Sequence, residues 1–146
     1  MYKRQIPNEA ERKVEIAFSL IEKAASYGIT PDRIYIDPLV LSVSAVNDAM
    51  LNFVEAIRTI KEKYPTVKIT SGLSNISFGM PYRKIINQIF LTLSLEAGMD
   101  SAIMDPTNRD LYASILATEV LMNRDPFCRK YNKAFRSGRI GPLKTN

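Results

Sequence analysis

Apolar positions along this chain alternate between a spacing near 3.6 residues and short unbroken runs, and the alternation marks out its elements. Val14, Ala17, Phe18, Ile21 and Ala25 recur three and four residues apart and predict a first helix. Asn8 is placed to cap it, with Glu11 as a capping-box partner, and Gly28 is placed to stop it. Arg33-Ile34-Tyr35-Ile36, ended by Asp37-Pro38, reads as a buried strand. A second helix is predicted over 45–64, with Val46, Met50, Phe53, Ile57 and Ile60 facing inward and Pro65 ending it. Val67-Lys68-Ile69-Thr70 is a second strand, leading into the polar loop Ser71–Gly79. A third helix follows over 83–97, with Ile86, Ile89, Phe90 and Leu93 inward and Gly98 closing it. The third strand is Ser101-Ala102-Ile103-Met104, and the fourth helix is expected over 108–123, capped by Thr107 with Asp110 as its box partner.

Alternating helices and strands imply right-handed βαβ units and a parallel sheet, an α/β fold. Three strands are few for such a sheet, and the chain opens with a helix. Both features suggest a domain that lacks its beginning, since a complete eight-fold barrel takes about 250 residues and this chain has 146.

Composition narrows the chemistry. There is no histidine and Cys128 is the one cysteine, which removes Ser-His and Cys-His nucleophiles and the usual zinc ligand sets. A single cysteine also forms no intrachain disulfide, as suits a reducing compartment. With no apolar signal segment after Met1 and no run near the roughly 20 residues that span a bilayer, a cytoplasmic protein without a membrane partner is expected. The net charge of +5 is concentrated at the C-terminus: residues from Arg124 onward carry +6 and residues 1–123 carry −1. Tyr131 and Phe135 sit at helical spacing within that basic stretch, so a solvated terminal helix is favoured over a nucleic-acid arm.

In parallel α/β folds, ligands bind at the carboxyl ends of the strands. Asp37, the Ser71–Ser77 loop and Asp105 fall at those three ends. A carboxylate at Asp37 can accept two adjacent N–H groups from a flat heterocycle, or it can simply turn the chain before Pro38. Asp105-Pro106 has the same two readings, with the turn weighing more. Gly72-Leu73-Ser74-Asn75 joins a backbone able to approach a flat ring with an amide able to donate or accept, and a plain polar turn is its alternative.

Four segments together carry a resemblance: Tyr35-Ile36-Asp37-Pro38-Leu39, Gly72-Leu73-Ser74-Asn75-Ile76-Ser77, Arg83-Lys84-Ile85-Ile86-Asn87 and Ala97-Gly98-Met99-Asp100-Ser101-Ala102-Ile103. In this order they resemble the methyltetrahydrofolate:corrinoid/iron–sulfur protein methyltransferases, and the folate domain of cobalamin-dependent methionine synthase is similar. The likeness runs from Met1 to about Arg136. It implies a partial (β/α)8 TIM barrel of about three parallel strands alternating with four helices, occupying 1–136, with 137–146 a basic, flexible tail. It further implies methyltetrahydrofolate as substrate and a corrinoid carried by a partner protein as methyl acceptor. Asp37 matches a family aspartate that hydrogen-bonds the pterin ring, Asn75 the asparagine at the methylated nitrogen, and Arg83 a nearby arginine; Gly72 and Ser74 line the same loop, and Asp105 stands at the next strand end.

A whole member of that family draws further pterin contacts from earlier strands, which this sequence does not contain. Each missing hydrogen bond is worth about 0.5–1.5 kcal/mol, so the chain alone should bind pterin weakly. It is expected either to self-associate or to pair with an N-terminal barrel fragment. A methyltransferase active on completion of the barrel is the first reading. A non-catalytic pterin-binding or assembly module is the second, and RNA binding through the tail the least favoured. Dihydropteroate synthase shares the barrel plan, but its lysine and arginine-histidine motifs are not seen here.

Overall fold

The computed structural model describes residues 9–142. The expected cap at Asn8 lies outside them. Helix α1 spans Ala10–Ala25 and buries Ala10, Lys13, Ala17 and Ile21. Strand β1 is only Tyr35–Ile36, because Pro31–Arg33 before it coil into a 3-10 turn. Helix α2 covers Ala49–Lys63, starting later than its apolar pattern suggested, and Val46 stays half-buried ahead of it. Strand β2 runs Lys68–Gly72, so Ser71 and Gly72 belong to the sheet and the loop begins at Leu73. Helix α3 is Arg83–Ala97, closed by Gly98 at φ +115°, a backbone setting that favours glycine. Strand β3 is Ser101–Ile103, helix α4 is Arg109–Leu121 and helix α5 is Arg129–Arg136.

The three strands are parallel in the order β1-β2-β3, with Tyr35 beside Lys68, Ile36 beside Ile69, and Gly72 beside Ile103. Side chains alternate between the two faces of such a sheet. Ile36, Ile69 and Ser71 are buried under the helices, in a core with Phe53, Ile57, Ile60, Val67 and Leu91. The helices pack on one another in chain order. The opposite face carries Tyr35, 63% exposed, and Ile103, 71% exposed, so no described element covers it. Parallel sheets are ordinarily buried on both sides. A parallel sheet with helices on one side only, and an opposite face of Tyr35, Lys68, Thr70, Ser101 and Ile103 left open, is an arc of a (β/α)8 barrel whose interior faces solvent.

Three expectations are corrected. Ile89 and Leu93 are not inward: they are 52% and 45% exposed, while Phe90, Leu91, Ser94 and Ala97 are buried. They lie one residue, or about 100°, behind Phe90 and Ser94, which puts them on the helix flank. Thr107 does not cap α4. The cap is Asn108, whose side chain accepts from the Asp110 and Leu111 amides, and Thr107 bonds Asp105 instead. Finally, residues 137–142 fold back onto α4: Ile140 is buried with Leu116 and Ala134, and Arg109 donates to the Gly138 and Gly141 carbonyls.

Phe53 is fully buried, with its ring 5.4 Å from that of Phe90 between α2 and α3. Phe53→Ala should cost about 3–5 kcal/mol in urea unfolding; a loss below about 1 kcal/mol would mean that this helix pair does not hold the sheet.

Candidate functional site

The strand ends lead into two loops that are bonded to one another. After β1, residues 37–48 pass over the end of β2, where Leu73–Ser77 form a 3-10 turn. The Val43 amide donates to the Ile76 carbonyl at 3.0 Å, and the hydroxyls of Ser42 and Ser44 both donate to the Phe78 carbonyl. Asn75 completes the seam, its Nδ2 donating to the Val40 carbonyl at 2.5 Å. The Asp37 loop and the Asn75 loop therefore form one rim.

Asp37 follows Ile36 at the end of β1 and is exposed, at the mouth of a groove it shares with Lys13, Ile16 and Leu20 of α1. Its Oδ1 accepts from the Leu39 amide at 2.8 Å, and no described residue bonds Oδ2. The turn expected before Pro38 is therefore present, made by one carboxylate oxygen. The Asn75 side chain is similarly divided. With Nδ2 committed to Val40, its Oδ1 has no partner among the described residues and is fixed as an acceptor, because turning the amide over would set two oxygens against each other. Gly72 ends β2 just ahead of the turn carrying Asn75, and a Cβ added to it would meet nothing within 4 Å.

Arg83 does not reach into this space. Its Nε donates to Ser77 Oγ at 3.0 Å and one terminal nitrogen to the Ser74 carbonyl at 2.6 Å. Buried Ser77 donates in turn to Asn87 Oδ1. Arg83 therefore braces the turn carrying Ser74 and Asn75 from the start of α3. Asp105 is occupied locally: Oδ1 accepts both the amide and the hydroxyl of Thr107, bonds that hold its carboxyl below the usual range.

Sequence reasoning missed Lys13. It is 6% exposed, on the buried stripe of α1 with Ala10 and Ala17, and its Nζ donates to the Leu39 carbonyl at 2.9 Å. Burial pushes its ammonium below the ordinary lysine range, opposed by the carboxylates of Asp37 and Asp48. A lysine on an apolar stripe was the available signal.

Asp37 and the turn carrying Asn75 thus stand at the carboxyl ends of two adjacent parallel strands, the end at which β/α barrels carry their sites. The chain belongs to the pterin binding enzyme family, which matches residues 1–105. It is 54% identical over 139 residues to the methylcorrinoid:tetrahydrofolate methyltransferase of Eubacterium limosum, covering 95% of this chain and 51% of that protein. It is also 39% identical over 102 residues to methionine synthase of Mycobacterium tuberculosis, covering 65% of this chain and 9% of that one, with a similar match in Mycobacterium leprae. The chain thus spans about half the length of the Eubacterium relative, or less of the others. No helix among the described residues is long and apolar enough to cross a membrane.

The displaced titration of Lys13 has a sign. The folded chain releases this proton at lower pH than the unfolded chain, so in that interval the unfolded chain binds more protons and stability rises with pH. Relative to Lys13→Met, the wild type should gain stability as pH climbs toward 10.5, the ordinary lysine value. Denaturant titrations of both proteins at several alkaline pH values measure this, and a difference that falls with pH contradicts it.

Proposed function

We propose that this chain is the C-terminal part of a pterin-dependent methyltransferase, moving a methyl group between a ring nitrogen of tetrahydrofolate and the cobalt of a corrinoid held by a partner protein. Family membership and the name of the Eubacterium relative support the class. The observation that carries the local reading is the fixed Oδ1 of Asn75 beside the bare backbone of Gly72.

The chemistry follows from nitrogen charge. With methyltetrahydrofolate as donor, the nitrogen must gain a proton before it can leave, and the methyl passes to the corrinoid with the electron pair of the broken C–N bond remaining on nitrogen. The Eubacterium relative is named for the opposite direction. There the nitrogen lone pair forms the new N–CH3 bond, the pair of the broken Co–C bond stays with the corrinoid, and the ring nitrogen sheds its proton. One transition state serves both directions, and in it the nitrogen carries partial positive charge. An acceptor held in place, such as Asn75 Oδ1, bonds that N–H more strongly in the transition state than in the neutral amine. Asp37 Oδ2 offers the complementary acceptor for the amine edge of the ring. The site sits on three strands and receives no contacts from elsewhere in a barrel, so catalysis needs the N-terminal part supplied in the same chain or in another.

The uncovered sheet face favours a second reading, an assembly or pterin-binding module without catalysis. Assays of methyl exchange between tetrahydrofolate and a corrinoid protein, with and without the N-terminal half of the Eubacterium relative, separate the two. Transfer should appear only in the completed barrel; none in either condition favours the second reading. In the active combination, Asn75→Ala should slow transfer about 10²–10³-fold, the range for removing one such preorganised group, while the lost bond to Val40 costs only about 0.5–1.5 kcal/mol of stability. An unaltered rate would remove Asn75 from the mechanism.

Gly72→Val offers an independent check on the seat. Its backbone at φ −71° suits any residue and an added Cβ meets nothing within 4 Å. The variant should therefore fold normally while losing pterin affinity by more than about tenfold, about 1.4 kcal/mol. Undiminished binding by calorimetry would place the ring elsewhere.

A further inference from the structure

We propose that Lys13 is a positioning residue for the pterin site: its ammonium, bonded to the Leu39 carbonyl, holds the turn that aims Asp37 and presents the Val40 carbonyl to Asn75. The inference rests on the reading of Asp37 and Asn75 given above.

Leu39 is the centre of the argument. It has φ +48°, a left-handed setting that is costly for a residue with a branched side chain. Two bonds keep it there. Its amide donates to Asp37 Oδ1, and its carbonyl accepts from Lys13 Nζ. The next carbonyl, that of Val40, accepts from Asn75 Nδ2. A chain of three contacts thus joins α1 to both groups assigned to the pterin. If Leu39 relaxes to an ordinary backbone setting, the carbonyl of Val40 turns and Asp37 loses its partner, so both groups lose their aim together.

The burial of Lys13 supports a specific role over simple filling. It lines a groove with Ile16, Ala17, Leu20, Ile36, Pro38 and, as the one acid, Asp37. It forms no ion pair within 4.0 Å among the described residues, and one carbonyl is its hydrogen-bond acceptor. Burying an ammonium in such company is unfavourable, and methionine would fill the same space without that cost. What methionine lacks is the donor that reaches Leu39.

The test is a double-mutant cycle on the full chain, read at the Asn75 side-chain amide by NMR and by titration with methyltetrahydrofolate. Lys13→Met should move the Asn75 amide signal toward that of a free asparagine and weaken binding about tenfold, the scale of one charge-assisted hydrogen bond. Leu39→Gly, which accepts a positive φ freely, should change little alone. In the Leu39→Gly background, Lys13→Met should cost less than about threefold, because the turn no longer needs to be held. Lys13→Arg keeps a donor and should retain most of the affinity; it also serves if Lys13→Met fails to fold. An unmoved Asn75 signal in Lys13→Met, or equal losses with Leu and Gly at position 39, would overturn the proposal. If the wild-type chain, alone and completed by the N-terminal half of its relative, binds no methyltetrahydrofolate, the functional reading fails, while the Asn75 signal still decides the role of Lys13.

Discussion

The seam between the loops following β1 and β2 is the constraint on which the site depends. Adjacent parallel strands bring their ends close, but loops of this length and polarity have many conformations available. Four hydrogen bonds to three carbonyls remove that freedom: Val43 to Ile76, Ser42 and Ser44 to Phe78, and Asn75 to Val40. The last also turns the amide so that its oxygen faces outward. Arg83, Ser77 and Asn87 hold the same turn from the helix side. The two free acceptors, Asp37 Oδ2 and Asn75 Oδ1, are consequences of how the rim is tied, since each belongs to a group whose other atom is structural.

The sheet beneath has one finished face and one unfinished face. Burial of Ile36, Ile69 and Ser71 under the helices gives the arc its stability, and Tyr35 and Ile103 on the other side have no covering layer. Exposed edges and apolar faces favour association. The match likewise covers only 51% of the Eubacterium methyltransferase. On the proposed reading, binding strength and catalysis belong to the assembled barrel, whereas the bonds that hold Asn75 and Asp37 are already built into this chain.

Much of the fold was legible because the apolar spacing and its breakers agree. Gly98 closes α3 where its position implied, and the order of elements is as the spacing suggested. Flank positions were not legible, since a helical stripe says that a face is buried but not how widely neighbours cover it; Ile89 and Leu93 were misplaced for that reason. The choice between Thr107 and Asn108 as cap turned on Asp105 claiming the threonine, a local competition that composition does not rank. Of the candidate groups, Asp37, Gly72, Ser74 and Asn75 come together at one rim, Arg83 braces it, and Asp105 is engaged in its own turn. Lys13 escaped notice because a lysine on an apolar stripe is read as a side chain extending to water, and only the left-handed turn at Leu39 reveals what it reaches.

The most direct measurement is a map of backbone and side-chain NMR shifts as methyltetrahydrofolate is added to the chain. Convergence of Asp37 and Asn75 on one ring requires changes concentrated at residues 36–44 and 71–79, saturating together with a single affinity. Changes confined to one loop, or centred on α4 and α5, would contradict a shared seat between them.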